Sequence, residues 1–269
     1  MQTGFHTDTG LRQDNQDNGL ADPALALFAV ADGVGGGSAG EQASACALLA
    51  LRQAVQEGLS LADAVRSAHL AVEMLQDALG VEDAATTLVA ARVTEDHLDY
   101  AWVGDSRLYV LSDRHLVQLT EDHTVARLLG EGAAVSRHML TQALGAAPGD
   151  GLQVDTGRFP LCGGERLLLC SDGLHGALPR DKLFAELVQP RDAQRTAEKL
   201  VTTALAVGAD DNVTVLVVDV EAADMPATDA SMDHTPPNHD RNPPDSPAQY
   251  VVFGILLAVL AFILIFFGY

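Results

Sequence analysis

Short apolar runs rich in Val, Leu and Ala recur along the first 220 residues and constrain the fold more than any other feature. They cover residues 24–31, 86–93, 98–103, 108–112, 166–170 and 213–220. Runs of this length, bounded by Gly, Asp or Asn, are typical of buried β-strands. The runs between residues 86 and 119 follow one another closely, as hairpin-linked strands do. The pattern favours stacked antiparallel sheets over a parallel, Rossmann-type sheet.

Three longer segments have the three- and four-residue apolar spacing of amphipathic helices. They span residues 39–57, 60–79 and 192–207. Because they are distributed irregularly rather than after every strand, we expect them to cover the sheets from outside. The sequence therefore predicts an α+β domain over residues 1–220.

The C-terminal part of the chain differs in composition. Residues 221–249 contain six prolines, six acids and one arginine, so they cannot bury enough apolar surface to fold, and a disordered linker is predicted. Residues 250–269 contain no charged residue. Twenty helical residues span about 30 Å, the thickness of the hydrocarbon core of a bilayer. One C-terminal transmembrane helix is therefore predicted, and a buried core helix is the alternative.

Charge and termini limit the partners and the compartment. With 37 acidic and 16 basic residues the net charge is -21, which argues against nucleic acid as a partner. The N-terminus has neither a basic start nor an apolar run, so no signal peptide is expected. Three cysteines without a C-x-x-C pair fit a reducing compartment. We expect a single-pass protein of the cell inner membrane with its folded domain in the cytoplasm.

Four aspartates lie where apolar runs begin or end, namely Asp32, Asp105, Asp172 and Asp211. A carboxylate at the edge of an apolar layer costs several kcal/mol unless it is paired or binds a metal. Few Lys or Arg residues lie nearby in sequence, and oxygen ligands suit Mg²⁺ or Mn²⁺ better than zinc. Each aspartate alone has a simpler explanation, because Asp-Gly is a common turn dipeptide.

Seven segments together resemble a known motif set. They are RQDNQD at residues 12–17, VADGVGGGSAGEQAS at 30–44, ATTL at 85–88, VGDSRLYVL at 103–111, LTEDHTV at 119–125, LLLCSDGL at 167–174 and GADDNVTVLVV at 208–218. In this order they resemble the bacterial metal-dependent serine/threonine protein phosphatases of the PPM family. The resemblance implies a four-layer αββα sandwich of two antiparallel sheets, with a binuclear Mn²⁺ or Mg²⁺ centre at one end.

The resemblance also assigns metal ligands. Asp32 would bridge two ions, with the carbonyl of Gly33 on the first ion. Asp172 and Asp211 would bind the second ion, and Asp105 together with Asp172 would hold a third, weaker one.

The remaining roles concern the substrate and the surroundings of the metals. Arg12 would clamp the substrate phosphate, with a surface arginine as the alternative. Gln16, Asp17 and Asn212 would lie behind the metal ligands, and Gln16 stands where many relatives have Glu. Two cations lower the pKa of a bridging water, which would then attack phosphoserine or phosphothreonine directly.

Other residues of these motifs have less defined expectations. Val34 stands where eukaryotic relatives have a histidine, so a metal-bound water is the expected proton donor. His123 matches a structural position, and His175 is expected to be a polar surface residue or to lie at the cleft. Residues 125–145 correspond to the family's variable flap, where Arg127, Arg137 and His138 are candidate contacts for a phosphopeptide.

Three functions remain open from the sequence. The first is a monomeric, membrane-tethered protein phosphatase that acts on phosphorylated proteins, including a bacterial Ser/Thr kinase or its substrates. The second is an inactive scaffold that binds phosphoproteins, although the three aspartates expected to bind the two main ions are present. The third is a phosphatase of a small molecule or of a sigma-factor regulator.

Overall fold

The structure is a computed structural model, and it describes residues 1–35, 39–129, 139–146 and 151–221. The predicted transmembrane helix, all but the first residue of the predicted linker, and the candidate contacts Arg137 and His138 lie outside the described residues. No helix within the described part of the chain is long and apolar enough to cross a membrane.

Eleven strands and six helices make up the described fold. In chain order they are β1 (Gln2–Asp8), β2 (Asp17–Asp22), β3 (Leu27–Val34), α1 (Ala39–Gln56), α2 (Leu61–Leu79), β4 (Ala85–Thr86), β5 (Leu88–Val93), β6 (His97–Val103), β7 (Arg107–Ser112), β8 (His115–Gln118), α3 (Val125–Leu129), β9 (Asp155–Pro160), β10 (Arg166–Cys170), α4 (Asp172–Ala177), α5 (Arg180–Leu187), α6 (Ala193–Ala206) and β11 (Val213–Asp219).

The strands form two antiparallel sheets. One sheet has the order β1-β11-β10-β7-β8, and the other has the order β2-β3-β5-β6-β9 with the short β4 paired to β3. Helices α1 and α2 pack on the second sheet, whereas α4, α5 and α6 pack on the first. The predicted four-layer αββα sandwich is confirmed.

The packing of strand β3 explains why its sequence contains an uninterrupted apolar run. Leu27, Ala29 and Ala31 pack with the helices α1 and α2. Phe28 and Val30 face the other way and pack between the two sheets. A strand that is covered on both faces has no solvent-facing positions, so the usual alternation of polar and apolar residues disappears.

Strand prediction succeeded in the centre of each sheet and failed at the edges. The apolar runs correspond to β3, β5, β6, β7, β10 and β11, although β3 begins and ends three residues later than the predicted run, so that Asp32 lies inside the strand. The strands missed were β1, β2, β8 and β9, which are the four edge strands, and the two-residue β4. Strand β9, for example, alternates between half-buried and exposed residues, because an edge strand needs less apolar surface.

Candidate active site

Loops and strand ends from both sheets surround one polar cavity of about 400 Å³. All but one of the predicted site residues line this cavity, and the exception is Asp17. Those that line it are Arg12, Gln16, Asp32, Gly33, Asp105, Asp172, Asp211 and Asn212. Residues separated by up to 200 positions in the chain are thus brought together at one end of the sandwich.

The main chain of Asp32 is held by two threonines that the sequence analysis gave no role. The carbonyl of Asp32 accepts hydrogen bonds from the Thr87 amide at 2.8 Å and the Thr86 hydroxyl at 2.9 Å. The Asp32 amide donates to the Thr87 hydroxyl at 3.1 Å. That hydroxyl also lies 2.8 Å from the hydroxyl of Ser106, which follows Asp105. The two adjacent threonines of the ATTL segment were the sequence feature that could have indicated this support of Asp32.

Asp17 lies directly opposite Asp32 in the β2–β3 pairing and is only 5% exposed. Its Oδ2 accepts a hydrogen bond from the Ser171 hydroxyl at 2.7 Å, whereas its Oδ1 is buried without a hydrogen-bond partner among the described residues. Burial raises the pKa of Asp17 to about 6, against the hydrogen bond from Ser171, and the charge of Asp172 raises it further. The site therefore contains a carboxylate oxygen suited to interact with a cation or its water.

Asp32 has the most strongly perturbed environment. It faces the cavity, yet the surrounding protein and the charges of Asp17, Asp172, Asp105 and Asp211 raise its pKa well above the ordinary value. Like charges packed this closely disfavour ionisation unless a positive charge lies among them.

Asp105 is buried, and its carbonyl accepts a hydrogen bond from Nε2 of His175 at 3.0 Å. Burial lowers the pKa of His175 to about 4, with Arg107 acting in the same direction. The imidazole is therefore neutral at neutral pH and carries its proton on Nε2. The expectation of a polar surface residue at His175 was wrong, because the side chain supports the main chain of Asp105 from behind the cavity.

The two Asp-Gly pairs owe their glycines to close packing. A Cβ atom on Gly33 would lie 2.2 Å from the carbonyl oxygen of Gly40, and one on Gly173 would lie 2.1 Å from that of Asn212. Neither position can hold a side chain without displacing the main chain of its neighbour. Each glycine thus fixes the position of the aspartate before it.

Asn212 connects the segment that carries Arg12 to the last strand. Its side-chain amide donates to the carbonyls of Thr9 and Asp14, both at 2.9 Å, and its Oδ1 accepts from the amide of Gln16 at 2.9 Å. Arg12 lies at the cavity mouth and forms an ion pair of 2.7 Å with Oδ2 of Asp211. The guanidinium is largely exposed, so it remains accessible from solvent.

His123 has a structural position. Its Nδ1 accepts from the Gly104 amide at 3.2 Å, its Nε2 lies 3.1 Å from Asp155, and its ring stacks on Trp102. It therefore supports the turn before Asp105 without lining the cavity. Arg127, a candidate phosphopeptide contact, pairs with Glu121 in this structure.

The donor set fits hard divalent cations. It consists of carboxylate and main-chain oxygens, and the pKa values of Asp32 and of the neighbouring Asp17 are raised by burial and by nearby carboxylates. Within the described residues, no three His, Cys, Asp or Glu side chains are grouped so that they could hold one ion by themselves. Mg²⁺ commonly uses only one or two carboxylates and keeps several waters, so a closed cage of side chains is not required.

Comparison with known proteins agrees with this site. Residues 5–207 match the family model of Protein phosphatase 2C. A serine/threonine phosphatase stp of Listeria monocytogenes is 32% identical over 81% of this chain and 96% of its own length. The serine/threonine protein phosphatase PstP of Mycobacterium tuberculosis is 35% identical over 82% of this chain and 45% of its own length.

A solved structure of a relative has the same fold. The catalytic domain of PstP in complex with two manganese ions superimposes with a TM-score of 0.73 at 32% identity, covering 81% of this chain and 97% of that one. Fold and site thus define a metal-dependent hydrolase of phosphorylated proteins. The chain belongs to the protein phosphatase 2C family and is a serine/threonine phosphatase that uses Mn²⁺ or Mg²⁺.

Proposed function

We propose that this phosphatase binds its ions and the substrate phosphate in the 400 Å³ cavity and acts while tethered to a membrane. The observation that carries the site assignment is the convergence of Asp32, Asp105, Asp172 and Asp211 on one cavity, where burial and the charges of its neighbours raise the pKa of Asp32. A divalent cation among these carboxylates would favour the ionised form of Asp32.

Asp32 would contact both ions, as the family resemblance implies, because it lines the cavity together with Asp172 and Asp211. The carbonyl of Gly33 would bind the first ion. Asp172 and Asp211 would bind the second, and Asp105 with Asp172 a weaker third. Two divalent ions supply a hydroxide at neutral pH and neutralise charge on the phosphoryl oxygens.

Arg12 would bind and orient the phosphoryl group. A guanidinium can donate two parallel hydrogen bonds to phosphate oxygens, which fixes the direction of the substrate. The ion pair with Asp211 keeps this group at the cavity mouth. His175 would not act as the general acid, because its Nε2 proton is already donated to the Asp105 carbonyl.

The location is also part of the proposal. Residues 250–269 carry no charge and are long enough to span a bilayer, and we propose that they hold the catalytic domain at the cytoplasmic face through the linker of residues 221–249. Tethering would raise the local concentration of membrane-bound phosphoproteins, including a transmembrane Ser/Thr kinase. The proposed catalytic unit is a monomer.

Turnover by the full-length protein tests the catalytic assignment. Purified in detergent micelles, it should hydrolyse para-nitrophenyl phosphate and a phosphothreonine peptide when Mn²⁺ is added. Asp32→Ala should lose both activities. Turnover that is independent of divalent ions, or an unaffected variant, would contradict the assignment.

Membrane fractionation tests the tether separately. The intact chain should be found with the membrane, and a chain ending at residue 249 should be found in the supernatant with its peptide turnover intact. Recovery of both forms in the same fraction would reject the tether and leave the catalytic assignment untouched.

A further inference from the structure

Exposed large apolar side chains are concentrated around the cavity mouth. Over the described residues, the exposed large apolar side chains are Met1, Leu11, Val34, Leu70, Val117, Leu128, Leu129, Met139 and Val207. Five of them are connected to the cavity lining: Val34 lines it, Leu11 and Met139 each precede a lining residue, and Leu128 and Leu129 lie on α3, whose first residue hydrogen-bonds to Met139. We call these five residues the apolar rim.

Two rim residues, Leu11 and Val34, lie on the loop before β2 and at the end of β3. Val34 lines the cavity itself, and Leu11 directly precedes Arg12, which also lines it. Leu11 is 76% exposed, so its side chain extends into solvent beside the residue proposed to bind phosphate.

The other three rim residues lie on two stretches of chain that pair with each other beside the cavity. Met139 directly precedes Leu140, which lines the cavity. The amide of Val125, the first residue of α3, donates to the carbonyl of Met139 at 2.8 Å, and Thr124 pairs with Leu140. Helix α3 therefore starts beside the cavity wall, and it carries Leu128 and Leu129 with exposures of 75% and 63%.

The size of the cavity indicates what must cover this rim. A space of about 400 Å³ can hold ions, water and one phosphorylated side chain, but not the residues on either side of it in a protein substrate. Those flanking residues must cross the mouth. Clustered exposed apolar surface marks interaction sites, and the charged residue of α3, Arg127, is already paired with Glu121.

We propose that the apolar rim binds apolar side chains that flank the phosphorylated residue of a protein substrate. This inference rests on the function proposed above and adds a preference among phosphoproteins. The acidic cavity binds the phosphoryl group through its cations and Arg12. The rim discriminates between substrates by the hydrophobic effect rather than by charge.

Two phosphothreonine peptides of equal length, differing only in Leu or Asn on both sides of the phosphothreonine, test the proposal on the full-length protein with Mn²⁺. The ratio of kcat/KM for the Leu peptide to that for the Asn peptide should be about tenfold, the lower end of discrimination by hydrophobic pockets. The double variant Leu128→Ser/Leu129→Ser should bring this ratio close to one. Met139→Ser should reduce it from a separate segment of the chain.

Leu70→Ser/Val117→Ser is the matched control, because both side chains are exposed apolar residues and no residue of their elements, α2 and β8, lines the cavity. It should keep the wild-type ratio. Equal kcat/KM for the two wild-type peptides, or an unchanged ratio in the rim variants, would overturn the rim proposal alone. Failure to hydrolyse either peptide with Mn²⁺ would instead reject the proposed function.

Sedimentation velocity tests whether a second copy of the chain, rather than a substrate, covers the rim. If the rim were covered by a second copy of the chain, the wild type would sediment as a dimer and the Leu128→Ser/Leu129→Ser variant as a monomer. That result would overturn the assignment of the rim to the substrate. The proposal predicts the same sedimentation coefficient for both proteins.

Discussion

The two ends of the β10–β11 pair differ in how buried charges are compensated. At one end Arg166 lies opposite Asp219, and its guanidinium donates to both carboxylate oxygens at 2.6 and 2.9 Å. It also donates to the carbonyls of Leu187 and Arg191. At the other end, Ser171 follows β10 and contacts Asp17, which is buried and has a raised pKa.

The difference separates structural charge from functional charge. The charge of Arg166 is fully compensated by groups of the chain, so that end of the ladder needs nothing from outside. The carboxylates at the cavity repel one another, and among them Asp211 forms an ion pair with the exposed Arg12. Perturbed groups that lie together in a cleft are characteristic of active sites.

Asp32→Asn should produce the largest effect on activity. The charge stabilisation supplied by catalytic metals amounts to several kcal/mol, and about 1.4 kcal/mol corresponds to a factor of ten. Turnover of para-nitrophenyl phosphate with Mn²⁺ should therefore fall at least about a thousandfold.

Stability should change in the opposite direction. In buffer without divalent ions at pH 7, Asp32→Asn should be at least as stable to urea as the wild type, because it removes a crowded negative charge. A clear loss of metal-free stability would show that the ionised Asp32 is a structural group, and the contrast between the two ends would fail.

Arg166→Met tests the other end of the ladder. Removing one partner of a buried pair leaves the other charge uncompensated, so the free energy of unfolding should fall by about 3 kcal/mol. Arg158→Met is the matched control, since Arg158 pairs with Asp99 on the surface and its replacement should change the free energy of unfolding far less. Mn²⁺ affinity measured by calorimetry should be the same in both variants; a tenfold loss in Arg166→Met alone would contradict the separation.

Thr87→Val tests whether the main-chain support of Asp32 contributes to metal binding. The change removes the hydroxyl that accepts from the Asp32 amide and contacts Ser106, while it preserves the side-chain volume. Mn²⁺ affinity should fall about tenfold, as for other residues that orient metal ligands. Thr87→Ser retains the hydroxyl and should bind Mn²⁺ within about twofold of the wild type; equal losses in both variants would assign the effect to packing.

The smallest expected effect concerns His69, a buried group on α2 that does not line the cavity. Its Nδ1 accepts a hydrogen bond from the Gly145 amide at 3.0 Å, and its Nε2 lies 3.4 Å from Glu73. Burial lowers the pKa of His69 below 6.5, against the opposing effect of Glu73. Since the unfolded chain then binds a proton more readily, this contribution is present above pH 6.5 and is lost as the pH falls through the folded-state pKa.

Chemical unfolding between pH 7.5 and pH 5 measures this contribution. His69→Asn keeps an acceptor near the position of Nδ1 and cannot titrate, so its stability should fall less with decreasing pH than that of the wild type. His69→Phe leaves the Gly145 amide without an acceptor and should lose about 1–2 kcal/mol at pH 7.5. Parallel pH profiles for the wild type and His69→Asn would contradict the account.

The sequence predicted the fold where burial is complete. Strands such as β3 and β11 are covered on both faces, so each appears as an uninterrupted apolar run. The edge strands β1, β2, β8 and β9 have fewer buried positions, and their pairing depends on neighbours far away in the chain. A local pattern cannot contain that information.

The site shows a similar division. The aspartates at strand ends were recognisable because charge beside an apolar run is unusual. The support given to Asp32 by Thr86 and Thr87, and to Asp105 by His175, depends on main-chain contacts between distant segments. The contact between His175 and Asp105 leaves no mark on the spacing of residues, so a surface position was expected for His175, with the cleft as the alternative.

Anomalous X-ray diffraction at the manganese edge, from crystals grown with MnCl₂, tests the central claim most directly. The account predicts two strong peaks in the cavity, about 3.5–4 Å apart and on either side of the Asp32 carboxylate. Peaks distant from Asp32, or a cavity without manganese in crystals of active protein, would contradict it.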